Sequence, residues 1–140
     1  MADNHSPEQR SYNMSKIRGK NTKPEIEVRK HLFSLGFRYR KNVRGLPGTP
    51  DIVLKKYNTC IFVNGCFWHR HEGCKYFVLP KSNVEYWTQK INRNVSRDIR
   101  NYRLLEENGW NVIVIWECEL KSNFEQTMKD VVNFLRSMKG

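Results

Sequence analysis

The chain has 140 residues, 39% of them hydrophobic and 28% charged, with a formal net charge of +11. That length suits one domain with one modest core, residues 1–140, and the apolar share excludes a disordered polymer. No apolar run approaches the roughly 18 residues of a membrane span, and the opening MADNHSPEQR has no apolar signal region, so the expectation is a soluble, cytoplasmic protein with no membrane partner.

Residues 1–22 read as a polar, basic arm that orders only partly by itself; residues 23–140 read as the core. Thr22-Lys23-Pro24-Glu25 is a helix start. Thr22 stands where a cap belongs, Pro24 suits the first turn, and Glu25 is spaced for a capping box. Ile26, Arg29, Leu32 and Phe33 fall near one face of this helix, and Gly36 ends it. Phe37 to Asn42 reads as a short strand. Gly45-Leu46-Pro47-Gly48-Thr49-Pro50 is a loop dense in turn residues. Strands follow over Asp51–Lys55 and Thr59–Asn64; the apolar run Cys60-Ile61-Phe62-Val63 predicts burial on both faces.

Residues 65–82 lack any period and hold most of the Cys and His. The longest helix runs from Val84 to Glu107, with Val84, Trp87, Ile91, Val95, Ile99, Tyr102 and Leu105 as one apolar stripe. Lys90, Arg93, Arg97 and Arg100 form a basic row on its other side, suited to phosphates and equally to plain solvation. Asn111–Trp116 is a second buried strand, and a last helix spans about Phe124 to Met138. The order gives a mixed α/β fold.

Charge is uneven along this chain. Arg10 to Arg44 holds eleven Lys and Arg against Glu25 and Glu27, whereas Glu106 to Asp130 holds six acids against Lys121 and Lys129. A basic bias at one end points to a phosphate-binding face.

Four cysteines in a reducing compartment are thiols, metal ligands or nucleophiles rather than two disulfides. Cys66, His71 and Cys74 are closely spaced in one loop, and Cys118 lies just past a strand. Three thiolates and an imidazole in a tetrahedron suit Zn²⁺, and four protein ligands leave no open position, so such a site is structural. Cys60 reads as a buried strand residue. His69 is not needed for that tetrahedron.

Asp51 opens a strand after a Gly/Pro loop, a placement from which nucleases hold Mg²⁺ through carboxylate oxygen. The usual companion on the next strand is an acid-x-Lys tripeptide; here Val63-Asn64-Gly65 stands in its place. The polar groups left to activate water are His69 and Glu25.

Taken together, Ser11–Ile17, Asn21–Glu25, Leu46–Asp51, Phe62–His69 with its Gly-Cys-Phe-Trp-His string, Lys90-Ile91-x-x-Asn94-x-x-Arg97-Asp98, and Gly109-Trp110 through Trp116-Glu117-Cys118 resemble the very short patch repair (Vsr) DNA mismatch endonucleases. The resemblance covers about Ser11 to Leu120. It implies a restriction-endonuclease-like fold, a mixed central sheet flanked by helices, with a structural zinc site. It implies a Mg²⁺-dependent, strand-specific bacterial endonuclease that nicks duplex DNA at T:G mispairs and initiates repair of deaminated 5-methylcytosine. Asp51 and the backbone carbonyl of Val63 would hold Mg²⁺. His69, supported by Glu25, would move the proton. Cys66, His71, Cys74 and Cys118 would hold Zn²⁺. Phe67, Trp68 and Trp87 would wedge beside the mispair, with Met14 approaching from the other groove; unstacking costs least where pairing is already poor. Lys90, Arg93 and Arg97 would contact DNA. General mismatch-repair proteins such as MutL are implied partners, and a monomer is the default. Some members carry His at position 64; Asn64 stands here, able to hydrogen-bond water or phosphate.

Three other readings compete. A non-catalytic, zinc-stabilised DNA-binding module leaves Asp51, His69 and Glu25 without a common purpose. A nuclease of the same fold acting on another DNA structure fits the fold but not the specific motifs. A cysteine enzyme fits least, because the well-placed thiols are committed to metal.

Overall fold

The computed structural model describes residues 22–71, 73–75 and 78–138; Met14 and the arm through residue 21 lie outside them. The elements are α1 (Lys23–Ser34), β1 (Arg40–Lys41), β2 (Ile52–Leu54), a 3-10 turn (Lys55–Tyr57), β3 (Thr59–Asn64), α2 (Val84–Glu107), β4 (Asn111–Trp116) and α3 (Glu117–Ser137). The described strands form one sheet in the order β1-β2-β3-β4. The first two pairings are antiparallel and β3/β4 is parallel, from Thr59↔Asn111 to Asn64↔Trp116. Helix α2 makes the crossover that a parallel pair demands. This is the mixed sheet flanked by helices that the family resemblance implies.

Alternation along the strands divides the core in two. Ile52, Leu54, Ile61 and Ile115 face α1 and α3, where Val28, Leu32, Met128, Val131, Val132 and Leu135 cover them. Val53, Cys60 and Phe62 face α2 and pack with Leu105, Tyr102, Trp110 and Val112. Gly48 lets the turn-rich loop tuck under α2. Its φ is +77°, and a Cβ there would meet Phe62 and Asn101 at 3.1–3.3 Å.

Several boundaries differ from the sequence reading. The strand expected over Phe37–Asn42 shrinks to Arg40–Lys41, because Phe37 turns into the core and Asn42 adopts positive φ. The strand expected from Asp51 begins at Ile52, leaving Asp51 in the bend before it, and yields to the 3-10 turn at Lys55. The last helix starts at Glu117, not Phe124. A break at Asn123 (φ −158°, ψ 75°) splits it there, and the Asn123 side chain accepts the Gln126 amide at 3.2 Å, capping the segment that the apolar pattern had marked. Thr22 and Glu25 form no backbone capping box; the Thr22 hydroxyl donates to the Glu25 carboxylate at 3.3 Å instead. In α2, Val84 and Ile99 are exposed, and Asn94 is buried on the line through Trp87 and Ile91.

Candidate active site and metal centre

The site lies where the Gly/Pro loop, the C-terminal end of β3, the following turn and one face of α2 meet. Strand β2 stops pairing with β3 at Ile52↔Ile61. The Val63 amide therefore has no strand partner on that edge and donates to Asp51 Oδ2 at 2.7 Å. A strand residue directs its amide and carbonyl to the same edge, so the Val63 carbonyl also faces the Asp51 side. Burial raises the Asp51 pKa from 3.8 to about 7; the charge of Glu25 adds to the rise, while the Val63 amide and Arg29 oppose it.

Glu25 is turned inward from the first turn of α1 and buried, paired with the equally buried Arg29 at 3.3 Å. One helix thus brings a second carboxylate and a cation close to Asp51. The buried Glu25 and the half-buried Asp51, with the Val63 carbonyl on the same side, are a donor set for a hard divalent cation. The fit is chemical, since a cation would remove the cost of ionising Asp51.

His69 sits in the turn after β3, and its Nδ1 lies 2.5 Å from Asp98 Oδ2 on α2. An ionised carboxylate only accepts, so Nδ1 carries the hydrogen and Nε2 is the nitrogen that can take a proton. The turn is tied to α2 at two more points. Asn94 Nδ2 donates to the Trp68 carbonyl at 3.2 Å, and Arg70 Nη1 donates to Asn92 Oδ1 at 2.5 Å. Arg97 in turn donates to Asn94 Oδ1 at 2.9 Å. Asn64, buried at the end of β3, donates from Nδ2 to the Tyr102 hydroxyl at 2.9 Å.

Asp98, Asn94, Arg29 and Tyr102 were not assigned roles from the sequence. Their signal was nevertheless there. Asn94, Asp98 and Tyr102 recur every four residues, a polar row on the inward side of a helix otherwise apolar there. A buried helix face that turns polar at helical spacing marks a site rather than a core.

The aromatic residues form one cluster. Phe67 and Trp68 rings lie 5.4 Å apart, Phe67 and Trp87 5.8 Å, and Trp68 and Trp87 6.0 Å, all edge to face. Tyr86 extends it. Trp68 and Trp87 are buried, and Phe67 shows more surface. Lys90 Nζ lies 5.4 Å from the Trp68 ring centre, so this cation belongs to the aromatic cluster. Arg93 and Arg97 are exposed beyond it along α2.

The donor atoms of Cys66, His71, Cys74 and Cys118 all lie within 4.8 Å of one another. Metal–sulfur bonds of about 2.3 Å in a tetrahedron put donors roughly 3.8 Å apart, so the four can close on an ion with small adjustments. Local backbone bonds shape the loop: the His71 amide donates to the Cys66 carbonyl and the Cys74 amide to the His71 carbonyl. The His71 ring stacks on Trp116 with centres 4.2 Å apart, and its Nδ1 is 3.2 Å from Cys118 Sγ. Burial raises the Cys66 thiol to about 12 and also raises Cys118; a bound cation reverses that preference by stabilising the thiolates. Cys60 stays apart, buried within β3.

Comparison with known proteins gives the chain's family. The family model for the DNA mismatch endonuclease Vsr matches residues 2–75. The type II nicking enzyme V.NmeAIP of Neisseria meningitidis is 52% identical over 122 residues, covering 87% of this chain and 86% of that protein. The type II nicking enzyme V.XorIIP of Xanthomonas oryzae is 50% identical over 120 residues, 86% of this chain and 88% of that protein. The DNA mismatch endonuclease Vsr of Escherichia coli K12 is 40% identical over 127 residues, 91% of this chain and 81% of that protein. With relatives this similar along most of their length, the chain belongs to the Vsr family of DNA mismatch endonucleases.

Proposed function

We propose that this endonuclease nicks one strand of duplex DNA at T:G mispairs and so initiates very short patch repair of deaminated 5-methylcytosine. The observations that carry the reading are the carboxylates of Asp51 and Glu25 acting on each other beside β3 and the oriented His69–Asp98 pair in the turn that follows that strand. Names of relatives that nick DNA support cleavage of one strand.

Asp51 and the Val63 carbonyl would hold Mg²⁺, which when bound supplies charge neutralisation at phosphate and a more acidic water. His69 Nε2 takes the proton of the attacking water, with Asp98 fixing the tautomer and stabilising the charged ring. Glu25, held by Arg29, supports the arrangement, and Asn64 stands where some members carry His. Lys90, Arg93 and Arg97 bind DNA phosphates. Phe67, Trp68 and Trp87 wedge into the stack beside the mispair, and Met14 reaches the opposite groove.

Zn²⁺ fits the Cys66, His71, Cys74 and Cys118 set, joining the catalytic turn to α3. Residues 1–140 act as one endonuclease unit, with arm 1–22 on the DNA and core 23–140 cutting it. The protein works as a cytoplasmic monomer, with MutL-type repair proteins as partners; no described helix is long and apolar enough to cross a membrane.

End-labelled duplexes, matched and T:G-mismatched in several flanking contexts, test the reading with Mg²⁺ and with EDTA. Mg²⁺-dependent nicking of the T strand in the mismatched duplex alone is expected. Equal cutting of matched duplex would overturn mispair specificity, and cutting in EDTA would overturn the cation.

A further inference from the structure

Tyr102 has no part in the assignments above, yet its hydroxyl is held at the C-terminal end of β3. Its ring packs against Phe62, with centres 4.9 Å apart, within the α2-side core. Its oxygen accepts the Asn64 amide at 2.9 Å. A phenol that accepts one hydrogen bond still has its own proton to donate, and among the described residues no hydrogen bond takes that proton. Burial lifts the Tyr102 pKa to about 12 against the Asn64 hydrogen bond, with the charges of Asp98 and Asp51 adding to the rise. Asp98 and Asp51 therefore both act on this phenol, and it stays protonated throughout any working pH. It is a donor and not a base.

We propose that Tyr102 donates a hydrogen bond from Oη to a non-bridging oxygen of the scissile phosphate, and that Asn64 holds the hydroxyl in line for it. Such a donor stabilises the charge that builds on the phosphate oxygens as water attacks. No proton leaves Tyr102, and no bond to it forms. The pair also accounts for Asn64, whose Nδ2 is committed to aiming the phenol rather than to taking a proton. The inference rests on the reading of Asp51 and His69 as the cleavage site.

The test is single-turnover nicking by the full chain, using phosphate and the two phosphorothioate diastereomers at the scissile position. Tyr102→Phe keeps the ring and removes the donor. It is expected to slow nicking about 10- to 100-fold, with mismatched-duplex Kd within about twofold of the parent. Sulfur at one of the two oxygens should slow the parent and leave Tyr102→Phe unaffected. Asn64→Ala should show a similar loss, and the double variant should be no slower than the worse single, as expected of groups acting as one unit. Parent-like nicking by Tyr102→Phe, or an unchanged sulfur effect in it, overturns the proposal. Asp51→Ala separates the two readings. If it nicks like the parent, the cleavage site itself is misassigned; if it is inactive while Tyr102→Phe is at full rate, only the role of Tyr102 falls.

Discussion

At the scale of single residues, environment decides which groups do chemistry. His69 and His71 are two positions apart, yet one meets a carboxylate and the other a thiol and an indole. Asp98→Asn would let the His69 ring take the wrong tautomer, and we expect single-turnover nicking to fall about 10²- to 10⁴-fold with mismatch binding intact. Asp51 carries a pH signature. Its pKa rises from 3.8 to about 7 on folding, so between these values the folded state binds the proton more tightly than the unfolded chain. The Asp51 contribution to the stability of EDTA-treated protein, read as the difference from Asp51→Asn, should therefore be greatest below about pH 4, decline as pH rises to about 7 and then level off. Thermal melting across that range checks the sign. Protons and cation compete for the same oxygens, so apparent Mg²⁺ affinity should rise up to about tenfold per pH unit below pH 7, read by titrating activity with Mg²⁺.

Among the elements, the turn after β3 depends on what lies outside it. Its hydrogen bonds run to α2 and its thiol cluster reaches α3. Cys118→Ser should weaken metal retention and loosen the turn, and because His71 stacks on Trp116, the loss should alter tryptophan fluorescence as well as nicking. The fluorescence change should also appear when a strong chelator strips the native protein. The second segment of α3 has a simpler dependence. Asn123→Ala removes its cap and should cost about 1 kcal/mol in denaturant unfolding with little effect on the nicking rate.

Across the whole molecule, the charge of +11 acts at long range. Arg93 and Arg97 line the exposed side of α2 beside the aromatic cluster. Replacing both by Ala should lower the slope of log K against log salt by about 2 if each meets a phosphate, and weaken matched and mismatched duplexes alike. What the sequence by itself determined was local or compositional: the ends of β3, α2 and β4, the thiol and imidazole set, and Asp51 at the end of a turn-rich loop. Those features survive folding because periodicity, turn chemistry and ligand type are properties of short stretches. Only the tertiary structure decided the pairings. It brought Asp98 to His69 across 29 positions and Tyr102 to Asn64 across 38. It also made Asn94 a buried strut and broke the last helix at Asn123. Partners this far apart meet because β3 and β4 pair in parallel, which obliges α2 to cross back over the sheet and lay its polar row against the end of β3.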